Sequence, residues 1–267
     1  MNISFLIGLA GAFGLVVFGI LEAGEIGNFI DPASILIVVG GTMFTLFATF
    51  PLKQFVTVMK QAPILLRIKG GKWDPTYYIN IMTELSTEAR KKGLLALEDK
   101  VAELDDAFLK DSVMLIVDAM EPDKVRSQLD NELGNLEARH AASWEFYDKG
   151  AALSPGFGMI GTLVGLINML ANMNFEEEGG AETLAANMAI ALITTFYGSI
   201  MANVLFIPMG TQMRALHNEE MLCKEIVIEG VLSIQAGENP RHINEKLMGY
   251  LTRTDRDRHA AQQSAGE

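Results

Sequence analysis

Three threonines stand in long stretches without a charged side chain: Thr162 in residues 153–173, and Thr194 and Thr195 in residues 184–209. Neither stretch contains an Asp, Glu, Lys, Arg or His. A hydroxyl or carbonyl oxygen in such a setting can replace part of the water shell of a hard cation such as Na⁺. The more ordinary use of a threonine in an apolar helix is to bond its own i−4 carbonyl or to hold two helices together. Pro155 and Pro208 sit near one end of each stretch and read either as plain helix-end markers or as hinges. A third group lies far from these. Arg90-Lys91-Lys92 is followed by Gly93 and then by Glu98-Asp99. Cations closing one helix and anions opening the next are favoured by both helix dipoles, so capping explains them, and so does a two-signed docking surface.

The missing groups are as informative. Neither stretch carries a carboxylate, although an ion path through a membrane ordinarily needs an ionisable group at depth. If this chain serves ion flow, a partner must bring that group. The lysine-glycine run Lys69-Gly70-Gly71-Lys72 lacks the spacing of a phosphate loop, and the four histidines show no metal-ligand spacing. No nucleophile and base are set out for catalysis, so the chain is not read as an enzyme, and no cofactor is expected. Cys223 is the single cysteine, which excludes an intrachain disulfide.

The elements that must position these residues follow from hydropathy and charge. Mean hydropathy is +0.23 over 267 residues, high for a soluble chain of this size. Residues 1–51 and 151–209 contain no Lys or Arg; 14 of the 21 basic residues fall in 52–150 and 7 in 210–267. This segregation is the positive-inside pattern and predicts a polytopic membrane protein with both basic blocks, and both termini, in the cytoplasm. Charges of both signs are mixed in those blocks, unlike the concentrated basic surface of a nucleic-acid binder.

Four spans are predicted. Ile3–Leu21 is a 19-residue uncharged run, and Gly8, Gly11 and Gly14 offer it close helix contact. Pro32–Pro51 follows the helix-start signal Asp31-Pro32. Spans of about Leu153–Met173 and Leu184–Met209 flank an acidic loop holding Glu176, Glu177, Glu178 and Glu182. Between spans two and three, Phe55–Ile68 is expected along the membrane surface. Helices are then predicted over Thr76–Lys92, Leu94–Leu109 and Ser112–Met120. From Asp123 one long helix rises into span three, with Trp144 and Tyr147 as interfacial aromatics. Span four is expected to continue through Ile234, with a short helix at Pro240–Leu251 and a disordered end. The fold class is all-α. The organisation is spans one and two in 1–51, a cytoplasmic helical domain in 52–150, spans three and four in 151–209 and a cytoplasmic extension in 210–267.

Three segments together resemble the flagellar stator family of MotA and its sodium-driven relative PomA. They are Ala89-Arg90-Lys91-Lys92-Gly93-Leu94-Leu95-Ala96-Leu97-Glu98, the run from Pro155 through Thr162 to Leu166, and the run from Leu192 through Thr194, Thr195 and Tyr197-Gly198 to Pro208. The resemblance implies a homopentamer around a dimer of a single-span MotB- or PomB-like partner, which supplies a membrane aspartate and a peptidoglycan-binding domain. It implies contact of Arg90 and Glu98 with the rotor protein FliG, a coupling role for Pro155 and Pro208, and an ion pathway at Thr162, Thr194 and Thr195. The function so implied is torque generation from cation flow in the bacterial inner membrane, with Na⁺ favoured over H⁺ on the three threonines. Two other readings stand beside it: an ExbB/TolQ-like motor for envelope transport, whose relatives have three spans, and a passive membrane scaffold for a single-span partner.

Overall fold

Four helical stretches are long and apolar enough to cross a membrane among the residues described by the computed structural model, which are 3–65, 73–171 and 180–257. All regular structure there is helical. The lysine-glycine turn at 69–72, the acidic cluster Glu176–Glu178 and the end beyond 257 lie outside the described residues. The chain divides into two units, residues 1–70 with 140–215 and residues 71–139 with 216–267.

The first unit contains α1 (Ile3–Ala23), α2 (Pro32–Ile35), α3 (Gly41–Thr49) and α4 (Leu52–Leu65). A π-turn at Leu36–Gly40 joins α2 to α3, so the second predicted span is one helical run with a widened turn. Asp31 starts α2 by accepting from the backbone N–H of Ser34 at 2.7 Å, with Pro32 in the first helical position. The glycines of α1 behave differently from expectation. A Cβ placed on Gly8, Gly11 or Gly14 would meet nothing within 4 Å, so the close contact they offer is not made within this chain.

The second unit is built from α5 (Pro75–Lys92), α6 (Leu97–Ala102), α7 (Ala107–Val117), α11 (Pro240–Met248) and parts of α8 (Pro122–Ala171) and α10 (Ile207–Gln235). Asp74-Pro75 and Asn239-Pro240 repeat the cap-then-proline start. The predicted continuous helix Leu94–Leu109 does not form. It becomes a 3₁₀ turn, Leu94–Ala96, then α6, then a break, and α7 begins at Ala107 rather than at Ser112. The cause is Asp106. Its carboxylate caps α7 by accepting from the N–H groups of Phe108 at 2.9 Å and Leu109 at 3.2 Å, and takes the Tyr78 hydroxyl at 2.5 Å. Burial foremost, and then that carboxylate, raise the Tyr78 phenol above its usual range. Ala119, with φ 56°, closes α7: Met120 N–H reaches the Leu115 carbonyl at 3.1 Å, a Schellman ending without the usual glycine.

α8 runs unbroken for 50 residues, more than twice the roughly 20 that a bilayer needs. It passes through Gly134 and Gly150 without interruption. α9 (Gly180–Ile200), a second π-turn (Met201–Phe206) and α10 likewise succeed one another without a loop. Tyr147, expected as an interfacial aromatic, is packed inside the unit. It is 2% exposed and packs edge-on to Phe146 and against Phe206, while Trp144 lies under the Arg214 guanidinium at 5.8 Å.

Candidate functional site

The α8–α9 hairpin is held by small residues facing small residues. Gly158, Gly161 and Gly165 step along α8 by three and four, which puts them on one face. Against them stand Gly198, Thr194 and Ala191, spaced the same way on α9. A Cβ on Gly198 would lie 2.6 Å from the Ser154 carbonyl oxygen, and one on Gly165 would lie 2.9 Å from the Asn187 carbonyl oxygen. Backbone atoms cannot swing aside, so these glycines set the distance between the helices. At Gly161 the neighbour is the Thr194 side chain, whose Cγ2 would be 2.4 Å away.

This packing sorts the three threonines. Thr194 is fully buried with its methyl group toward Gly161, and its hydroxyl donates to the Ala191 carbonyl at 3.0 Å. Thr162 is half-buried and Thr195 exposed, and their hydroxyl oxygens are 2.6 Å apart. Thr162 also reaches the Ala191 carbonyl at 2.9 Å and the Gly158 carbonyl at 3.1 Å; Thr195 is 3.4 Å from the same Ala191 oxygen. The hydroxyls therefore converge on one carbonyl, Ala191, which sequence reasoning did not single out. Thr162 has one proton for three neighbours, so the arrangement is rich in oxygen lone pairs. Thr162, Thr195 and the Ala191 carbonyl form the edge where a cation would find oxygen; Thr194 lies behind it.

Two further groups shape this hairpin. Tyr197 donates its hydroxyl to the Phe29 carbonyl and accepts from the Asp31 N–H at 3.4 Å, tying α9 to the start of α2. The signal was the single phenol inside an apolar run. Gly41, on α3, comes so close to Phe157 of α8 that a Cβ would lie 2.4 Å from its ring.

Pro155 is exposed on α8, beside Ser154, which is fully buried and donates to the Gly150 carbonyl at 2.6 Å. Lacking an N–H, Pro155 leaves the Ala151 carbonyl without its helical donor, a weak point opposite Gly198. Pro208 is half-buried at the second position of α10, immediately after the π-turn. The widened turn relieves the ring's clash with the preceding turn's carbonyl, so the proline and the π-turn are one feature.

In the other unit, Arg90 lies in the last turn of α5 and Glu98 in the first turn of α6, on either side of Gly93. Gly93 has φ 87°, a backbone state that suits glycine. Both charged residues are exposed, and no ion pair joins either to any described residue, whereas Lys92 pairs with Glu88 at 2.6 Å and Lys100 with Glu84 at 3.2 Å.

The described residues are all-helical with four stretches long and apolar enough to cross a membrane, and residues 100–226 match the MotA/TolQ/ExbB proton channel family. The chain is 37% identical to Motility protein A of Treponema phagedenis over 96% of each chain. It is 36% identical to Chemotaxis protein PomA of Vibrio alginolyticus, over 94% of this chain and 96% of that one. The solved flagellar MotAB stator complex of Bacillus subtilis superposes with a TM-score of 0.84 at 30% identity, covering 96% of this chain and 98% of that one. The chain belongs to the MotA/PomA branch of that family, whose members are channel subunits and not enzymes.

Proposed function

We propose that this chain is the stator subunit of a bacterial flagellar motor, anchored in the inner membrane with its termini in the cytoplasm. It works as a pentameric ring around a dimer of a MotB/PomB-like single-span partner. The observation that carries this reading is the hairpin itself: its apolar stretches 153–173 and 184–209 present the oxygens of Thr162, Thr195 and Ala191 and contain no carboxylate. An ion site of that kind is complete only when a second chain supplies the ionisable group. A relative over nearly the whole chain is named Motility protein A and a matching solved structure is a flagellar MotAB stator complex, which supports the same reading.

In this scheme cations enter from outside and bind the partner's aspartate beside the threonine edge, with Na⁺ favoured over H⁺. No resident cofactor is needed; the ion is the cargo. Passage lets the ring step around the partner dimer, with Pro155 and Pro208 as the compliant points in α8 and α10. The Arg90/Glu98 surface then pushes FliG. One charge crossing 100 mV yields about 2.3 kcal/mol, so appreciable work needs repeated passages. The test is swimming speed under viscous load in cells whose own stator subunit is replaced by this chain with its partner. Pro155→Ala, and separately the double change Arg90→Glu/Glu98→Lys, should each depress it at unchanged membrane abundance. Speed untouched by both would overturn the reading. Exchanging external Na⁺ for K⁺ at constant pH decides the ion: unchanged speed rules out sodium.

A further inference from the structure

The turn between α5 and α6 presents a large apolar side chain between charged residues. Leu95 is 75% exposed, the only large aliphatic side chain so displayed among the described residues of its unit. Its neighbours in sequence point the other way: Leu97 is fully buried and Leu94 packs against the same core. The short 3₁₀ turn Leu94–Ala96, entered through Gly93, is what turns Leu95 outward.

The charges around it fall into two sets. Lys92, Glu88, Lys100 and Glu84 are consumed in ion pairs within this unit. Arg90 and Lys91 on one side of the turn, and Glu98 and Asp99 on the other, are exposed and form no ion pair with described residues. An apolar side chain between unpaired charges of both signs is the pattern of an interface anchor with a polar rim. The four unpaired charges cancel, so an anionic lipid surface gains nothing from them, and a nucleic acid would be repelled by half. A protein surface with charges of both signs around an apolar recess fits.

We infer that Leu95 is the apolar anchor by which this subunit grips the rotor, seating in a recess of a partner protein helix face that carries both an acid and a base. The inference rests on the stator reading and deepens it: the charges align and steer, and Leu95 supplies the contact that resists slippage under load.

The test uses the full chain with its single-span partner in motile cells. Because Leu95 is exposed, substitutions there leave folding intact, which thermal unfolding of the purified complex checks. Leu95→Ala should lower stator engagement at the rotor, scored by fluorescent-subunit dwell time, by about fivefold, the loss typical of a truncated anchor. Leu95→Met, which keeps the apolar volume, should restore most of it. A photo-crosslinking phenylalanine analogue at position 95 should join this chain to a rotor protein. Crosslinking to a second copy of this chain, or to lipid alone, would overturn the inference. So would a Leu95→Ala dwell time equal to that of the unsubstituted chain while Arg90→Glu/Glu98→Lys stops motility, and in that case the stator reading survives. If neither change affects motility of cells that hold the assembled complex, the stator reading itself fails.

Discussion

The two units solve opposite packing problems. In the second, the large apolar side chains are inside: Ile79, Met82, Leu97, Val101, Leu109, Val113, Ile116 and Ile226 are all fully buried in one cluster. In the first they are outside, with Leu15, Leu36, Phe44, Leu163 and Ile167 all more than half exposed, while glycines, Ser154 and Thr194 occupy the contacts between helices. Water drives the second unit together through burial of apolar area. Lipid offers no such drive, so the first relies on close backbone approach and on hydroxyls bonded to carbonyls. One unit is held by what it hides and the other by how near its backbones come.

The largest effect that would sharpen this contrast is at Gly198. Gly198→Val places side-chain atoms against the Ser154 carbonyl, and the hairpin should separate or fail to assemble, seen as loss of the partner complex on a size-exclusion column. In the same assay Gly11→Ala, which meets nothing within this chain, should leave the monomer's fold unchanged. Next in size is the water-driven core. Leu97→Ala should destabilise the second unit by ~2–5 kcal/mol in chemical denaturation, and Leu163→Ala, at an exposed position of α8, by far less. A comparable cost at both sites would erase the distinction.

A smaller effect concerns the backbone. Ala119 adopts φ 56° where α10 uses Gly237, at φ 71°, for the same kind of ending. Ala119→Gly should therefore raise stability by roughly 0.5–1 kcal/mol, relief of the left-handed strain outweighing the added freedom of the unfolded chain. Cys223 gives a check without mutation. It is fully buried, and burial foremost, with acidic neighbours, pushes its thiol up to about 12. Maleimide labelling at pH 7 to 8 should be negligible until the second unit unfolds. As pH rises past the ordinary thiol range, the unfolded chain ionises first, so this residue's contribution favours folding less at high pH. The smallest effect is Lys100→Ala, which removes an exposed pair with Glu84 and should change stability by under about 0.5 kcal/mol.

Much of this was legible in the sequence because lipid imposes a simple code. Charge segregation located the spans, and Asp31-Pro32 and Gly93 marked ends that the structure places where expected. Three things were not legible. Apolar spacing from Leu94 to Phe108 read as one helix because periodicity does not register a tertiary partner, and Tyr78 with Asp106 breaks it. The π-turns carry no composition of their own, although Pro208 accounts for one afterwards. Convergence on the Ala191 carbonyl was hidden because a main-chain oxygen has no letter, and only the pairing of α8 with α9 reveals it.

The central claim is that this hairpin is one half of an ion site completed by another chain. Ion current across cells expressing this chain with a single-span partner whose plug is deleted tests it most directly, with Thr162→Val as the matched variant. The account expects no current from this chain alone, current from the pair, and a marked reduction with Thr162→Val at equal membrane abundance. Equal current from this chain alone, or a pair that conducts identically with and without the Thr162 hydroxyl, would contradict it.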